Sequence, residues 1–442
     1  MAFFLFILVN ATLFIRPAEV VPALLGWEIY FYVIVTCFVV ASPDVLRYLT
    51  GQSLDKQPIT LCVFGLLGVI ALPFLIAGDL PEVWRTCFHF AKVVVYYLLF
   101  VSVVTTYERL RILLFCILGF CAAITLLVVL RYHDVIQLET VQALDDSMRG
   151  QYGTTIAIKR LQGTGIFQDP NELCVLLSAM VPLALYFVFS TKNLVVRILC
   201  ASTLPLFGYA VFLTGSRGGF MAFAGSLLVL AWLQFGWKKT AIISLVAAPA
   251  LLLLFAGRQT QLTTGEGTGL SRVELWREWL TTFRDNPVVG KGMSLPKEEE
   301  VKNRRPDEEL KHLAHNSYLQ SFADLGILGG ILFVGAYFAA LWSVHRSTSS
   351  GTVMLDANLQ KVQPYLLASL AAYAIGMMSL SICYVVPTYM MLALAVSYTR
   401  MARGAALVAA PPLRFDVKFL GQVAGVGVAV LGFIYLFVRF VA

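Results

Sequence analysis

The chain has 442 residues, 59% of them apolar and 13% charged, against about 25% charged in ordinary soluble domains. That composition excludes a soluble globular fold, which would aggregate. The net charge of +7 does not signal nucleic acid as a partner, because its meaning depends on the side of a membrane on which it sits.

Runs long and apolar enough to span a bilayer, roughly 20 residues each, recur along the whole chain. The first, near residues 2–15, has neither a basic stretch before it nor a small-residue cleavage site after it, so it reads as a short spanning helix and not a signal peptide. Further spans are expected near 26–42, 58–77, 86–104, 112–131, 172–190, 196–213, 219–236, 240–256, 317–344, 363–380, 383–399 and 419–438. The expectation is an all-α integral membrane protein of 12 to 13 spans forming a single polytopic domain over residues 1–442. Two long hydrophilic connections interrupt it, at 132–171 and 257–316.

With the N-terminus cytoplasmic, one set of short connections holds Arg47, Lys56, Arg109, Arg111, Lys192, Arg197, Lys238, Lys239, Arg346, Lys361, Arg400, Arg403, Arg414 and Lys418. The other set holds only Arg16, Arg85, Arg217 and Arg439. The positive-inside rule puts the richer set in the cytoplasm and both long loops outside. A site out there has no access to cytoplasmic ATP or nucleotide sugars, so its substrate must arrive already activated, most simply on a lipid. No cytoplasmic segment carries a nucleotide-binding glycine loop, in agreement. The eight cysteines lie in or beside apolar runs without paired spacing, which supports neither a disulfide framework nor a thiolate metal site.

In the 132–171 segment, Lys159 and Arg160 add positive charge, and Asp169-Pro170-Asn171 opens a span with Asp169 as its cap. Asp169 and Asn171 are also candidates for shaping an acceptor pocket. TGSRGGF, Thr214 to Phe220, is so short a connection that Arg217 must sit at the membrane surface, either as an interfacial anchor or facing a ligand that its glycines admit. The long loop contains SRVELWREWLTTFRDNP, read as a helix with a capping box at Ser271 and Glu274. Its apolar stripe is Val273, Trp276, Leu280 and Phe283, with Trp279 at the edge, which suits a helix lying on the bilayer. Arg272, Arg277 and Arg284 lie off that stripe, facing a site, water or anionic lipid. The run EEEVKNRRPDEEL is a solvated face.

KHLAHNSYLQSFADLGILGG then leads into the next span. His315 stands where Asn316 or Ser317 can cap the helix, and imidazole has the proton affinity of a general base at neutral pH. His312 and His315, three apart, invite a zinc reading, but no HExxH or Cys set accompanies them. Asp324, inside the span, is either functional or a structural partner for an arginine.

Taken in order, TGSRGGF, the SRVELWREWL…DNPVVGKGM loop and HNSYLQSFADLGILGG resemble the O-antigen ligase and O-antigen polymerase family of bacterial envelope glycosyltransferases. GIFQDPNELC resembles a segment of the family's exopolysaccharide members, and the clear similarity covers roughly residues 160–345. The resemblance implies a GT-C type helical fold in the bacterial inner membrane, with the active site facing the periplasm. It implies glycan transfer from an undecaprenyl-diphosphate carrier without cofactor or metal, to a glycan, lipid A core or other envelope acceptor. It assigns catalytic roles to Arg217, Arg272 and His315, with Arg277, Arg160, Asp169, Asn171, Asn316 and Asp324 as substrate-binding candidates. Asp324 stands where the family usually carries a glutamate.

The chemistry of the residues agrees with this. A glycosyl diphosphate is already a good leaving group, so the paired carboxylates of a glycosidase are not needed. A base for the acceptor hydroxyl and fixed positive charge for the departing diphosphate suffice. Ligase and polymerase differ only in acceptor, and the ligase type is slightly favoured. A secondary transporter, which would show repeated halves, and a membrane scaffold are the readings from other classes.

Overall fold

A computed structural model describes residues 1–24, 26–50, 56–137, 144–149, 155–259, 268–293, 295, 313–348, 353–408, 411 and 413–441. The helices are α1 (Ala2–Ile15), α2 (Ile29–Thr50), α3 (Pro58–Ala77), α4 (Leu80–Val103), α5 (Tyr107–Tyr132), α6 (Pro170–Ser190), α7 (Leu194–Thr214), α8 (Arg217–Gln259), α9 (Thr268–Asp285), α10 (Ser317–Arg346), α11 (Ala357–Gly376), α12 (Val386–Gly404) and α13 (Val417–Val441). Two small antiparallel ribbons decorate them: β1 (Leu144–Arg149) with β2 (Thr155–Arg160), and β3 (Val353–Met354) with β4 (Ala406–Val408). The protein is an all-α integral membrane protein.

Among the described residues, ten helices are long and apolar enough to cross a membrane, fewer than the 12 to 13 expected. Part of the difference is α8, where Gly236 at φ 76°, ψ 167° interrupts one continuous run. The segments expected as separate spans are therefore two helices meeting at that glycine. The rest is α11 and α12, which carry Lys361, Arg400 and Arg403 and bury Ser369, Thr388, Ser397 and Thr399. They need not be uniformly apolar, because α11 packs on α6 and α8, and α12 on α4 and α10.

Lipid tails are as apolar as leucine, so helix association in a bilayer rests on close packing and interhelical hydrogen bonds. Both occur here. Gly376 lies against Val175, and Gly335 against Val423. Fully buried tyrosines each find a partner: Tyr96 Oη donates to Asn10 Oδ1 at 2.6 Å, Tyr389 to the Cys383 carbonyl and Tyr398 to the Leu359 carbonyl, both at 3.1 Å.

The turn VVGKGM has a definite structural task. Gly326, at φ 64° and ψ −166°, breaks α10, and the chain after α9 fills the gap. Lys291 N–H donates to the Ala323 carbonyl at 3.1 Å, Gly292 N–H to the Asp324 carbonyl at 2.8 Å, and Ile327 N–H to the Pro287 carbonyl at 2.8 Å. Irregular backbone within a membrane protein survives where other protein groups satisfy it. A Cβ on Gly290 would collide with the Asp324 carbonyl and one on Gly326 with the Val288 carbonyl. Only glycine fits at either place.

α9 begins at Thr268, so Ser271 lies within the helix and is not its N-cap. Thr268, Gly269 and Leu270 extend the helix further back than the capping signature suggested. The apolar stripe is as expected: Val273 is buried and Trp276, Leu280 and Phe283 are half-buried, packed with Leu319 and Ala323 of α10 and Ile434 and Val438 of α13. Trp279, placed at the stripe's edge, is as buried as Val273. Trp276 also donates its indole N–H to the Ala314 carbonyl at 2.9 Å.

Candidate active site

Four chain segments meet at the end of the bundle that carries the long loop: the N-terminal turns of α6, α8 and α10, and the connection between α11 and α12. Gly218 lies directly against Ser379, and Gly219 against Cys174 of α6. Gly218 and Gly219 of TGSRGGF thus admit neighbouring protein. Their effect is to draw Arg217, the first residue of α8, onto the turn that follows α11.

That turn also holds the histidine. Ser381 Oγ accepts the backbone N–H of His315 at 2.9 Å, and two residues on, Ser317 Oγ donates to the Leu380 carbonyl at 2.6 Å and accepts the Ile382 N–H at 2.9 Å. His315 is half-buried with a left-handed φ of 46°. Asn316 is the N-cap of α10, its Oδ1 accepting the N–H groups of Tyr318 and Leu319, both at 3.1 Å. Its Nδ2 is buried without a hydrogen-bond partner.

The opposite wall comes from β2 and α6. Asp169 caps α6, accepting the Asn171 N–H at 2.6 Å and the Asn171 amide at 2.8 Å. Arg160 donates through Nε to the Thr214 carbonyl at 2.9 Å and through a terminal nitrogen to Asn171 Oδ1 at 3.0 Å. It therefore ties the end of β2 to the ends of α6 and α7. Arg272 of α9 faces this wall. Burial lowers its pKa, Asp169 opposes that shift, and the charges of Arg217 and Arg160 add to it. Arg160, Arg217 and Asp169 are thus within electrostatic reach of Arg272, with Asp169 the one carboxylate acting on it among the described residues. Among the described residues neither Arg217 nor Arg272 has a carboxylate at ion-pair distance. Among the described residues the cluster gathers three guanidinium groups around Asp169, suited to an anion with several phosphate oxygens.

Two candidates stand apart. Arg277 lies on the other edge of α9's apolar stripe, lining a separate cavity with α13. Asp324 is buried two turns into α10 beside the Gly326 break, where Tyr384 Oη donates to its Oδ2 at 3.3 Å and its Oδ1 has no hydrogen-bond partner. His312 lies outside the described residues, among which no group of three His, Cys, Asp or Glu could hold a metal ion.

Sequence reasoning missed Glu172 and the 379–382 turn. Glu172, in the first turn of α6, is within electrostatic reach of Asp169 and of Tyr373 on α11. Its signal was present, since it directly follows the Asp-Pro-Asn cap. In the sequence Ser379 fell at the end of the 363–380 run and Ser381 in the short link after it.

Residues 202–334 match the family model described as O-antigen ligase. Over that stretch the chain is similar to the O-antigen ligase family. Within the matched stretch fall Arg217, Arg272, Arg277, His315, Asn316 and Asp324, while Arg160, Asp169 and Asn171 precede it. The matched stretch therefore supplies the histidine and two arginines of the cluster, and the segment before it supplies the third arginine. No curated protein gives a significant match to the chain.

Proposed function

We propose that the protein transfers a glycan from an undecaprenyl-diphosphate carrier to an envelope acceptor at the periplasmic face of the bacterial inner membrane, as an O-antigen ligase. The observation that carries this reading is the shared neighbourhood of Arg160, Arg217 and Arg272, with His315 held on the same turn that Arg217's helix contacts.

In this reading His315 accepts the proton of the acceptor hydroxyl as its oxygen attacks the anomeric carbon. The bond from that carbon to the diphosphate oxygen breaks and its electron pair leaves with the diphosphate. Arg217 and Arg272 take up the developing charge, which guanidinium does well because it stays ionised and binds phosphate oxygens in pairs. One displacement with one base inverts the anomeric centre, and no metal takes part. Arg160 and Asn171 hold the wall against which the donor lies, and Asp169 keeps Asn171 oriented.

The break in α10 is a feature that transporters also use at ion sites. Here residues 287–293 fill it with hydrogen-bonded protein backbone, which favours the transferase reading.

The deciding experiment is transfer from a purified lipid-linked glycan by the reconstituted protein, with chelator present, for wild type, His315→Ala and Arg217→Ala. Chelator-resistant transfer that both substitutions abolish is expected, with the donor anomer inverted in the product. The acceptor consumed distinguishes ligase from polymerase. Transfer indifferent to both substitutions would overturn the assignment.

A further inference from the structure

α9 has a second charged edge that the proposed chemistry does not use. At 3.6 residues per turn, Arg277 lies roughly 140° around the helix from Arg272, and Arg284 falls within about 20° of Arg277. The apolar stripe of Val273, Trp276, Leu280 and Phe283 runs between the two edges.

The second edge borders a cavity of about 780 Å³ between α9 and the last turns of α13. Its floor is apolar, with Leu280, Phe283, Val428 and Leu431, and its charged lining residues are Arg277, Arg284 and Arg439. Among the described residues no carboxylate lines it. Arg284 has only an exposed contact with its neighbour Asp285 at 3.4 Å, a pair of little energetic value. Beside the cavity, Leu436, Phe437 and Phe440 of α13 are exposed in the manner of lipid-facing residues.

One arginine at a helix end is an ordinary interfacial anchor. Three on two helices around one apolar cavity form a receptor for an apolar chain with a phosphate at its end. The donor's diphosphate is a poor candidate, because Arg284 stands about 18 Å along the helix from Arg272 and on a different edge. We infer that the groove between α9 and α13 binds an anionic phospholipid of the surrounding bilayer. Its phosphate lies among Arg277, Arg284 and Arg439, its acyl chain lies along Leu280 and Leu431, and it steadies the helix that presents Arg272.

The binding claim is independent of the transferase reading, and the consequence for Arg272 rests on it. The test uses delipidated full-length protein in mixed micelles of equal phosphatidylglycerol and phosphatidylcholine, with retained lipid counted by native mass spectrometry. Wild type is expected to retain phosphatidylglycerol about tenfold over phosphatidylcholine, which corresponds to roughly 1.4 kcal/mol. The triple variant Arg277→Gln, Arg284→Gln, Arg439→Gln should lose that preference. Leu431→Trp, which places a bulky ring in the path of the acyl chain and keeps the charges, should lose it as well, so the result survives a triple variant that does not fold. Equal retention of both lipids, or retention unchanged in Leu431→Trp, would overturn the inference. So would displacement of phosphatidylglycerol by an equal amount of polyprenyl phosphate, which would give the groove to the donor.

In nanodiscs, phosphatidylglycerol should raise the transfer rate of wild type several-fold and leave Leu431→Trp unresponsive. A wild-type rate independent of phosphatidylglycerol would overturn the steadying role. Lipid retention without any transfer would count against the proposed reaction alone.

Discussion

The backbone N–H of His315 donates to Ser381 Oγ at 2.9 Å while His315 itself holds a φ of 46°. Left-handed backbone is uncommon for residues other than glycine, with Asn, Asp and His the better tolerated. A residue held so, one position before a helix cap, points its side chain away from the helix path, and Ser381 supports the backbone that does this. His315→Asn should therefore retain the fold and lose the base. The expected outcome is a fall in turnover of at least about 100-fold, the lower range for general base catalysis, with the melting temperature unchanged within a few degrees. Ser381→Ala removes the support alone and should lower turnover by about 3- to 10-fold, the scale of one hydrogen bond. A Ser381→Ala enzyme with wild-type turnover would show that the contact is incidental.

Charge and geometry at the arginine cluster can be separated by lysine. Arg217→Lys and Arg272→Lys keep the positive charge but lose the two-pronged donor, so each should retain more activity than its alanine counterpart and less than wild type. The alanine variants should lose about 100- to 1,000-fold by analogy with oxyanion-hole donors. Steady-state kinetics on all four variants checks this, and lysine variants as fast as wild type would reduce the cluster to a simple point-charge field.

Gly218 and Ser379 form a pair that predicts suppression. A methyl group at 218 would collide with the Ser379 side chain, pushing the first turn of α8, and Arg217 with it, off the 379–382 turn. Gly218→Ala should lower turnover, and the double variant Gly218→Ala, Ser379→Gly should recover most of the loss by removing the obstructing side chain. Absence of recovery in the double variant would mean that the glycine serves something other than this contact.

The break in α10 predicts loss of stability without any change in chemistry. Gly290→Ala and Gly326→Ala each place a Cβ against a backbone carbonyl at a positive-φ position, and residues held in such conformations cost about 1–3 kcal/mol before any collision is counted. Gly292→Ala also has a positive φ but would meet only the ring of Phe74, a side chain able to turn. Thermal unfolding in detergent should rank Gly292→Ala as the mildest of the three.

The sequence showed the membrane helices, the Asp169 cap and the α9 stripe clearly, because each is written in a local pattern of apolar periodicity or capping chemistry. Three things were not legible, for a common reason. The breaks at Gly236 and Gly326 sit inside apolar runs, where a glycine looks like any other small residue. The edges of α9 are told apart only by what packs on each, Asp169 and two arginines near Arg272, and α13 beside Arg277. Ser379 and Ser381 gain their meaning from Gly218 and His315, residues distant in the chain. Glu172 differs, because its position after the Asp-Pro-Asn cap was plain and only its approach to Tyr373 needed the fold.

α9 is fastened at two places to the helix that begins beside His315, through the Trp276 indole on the Ala314 carbonyl and through residues 287–293 in the gap of α10. The position of Arg272 relative to His315 is thereby set through the contacts that α9 and residues 287–293 make with α10. Such an arrangement makes the two helices a single unit, so that a disturbance at either one is passed to both side chains at once.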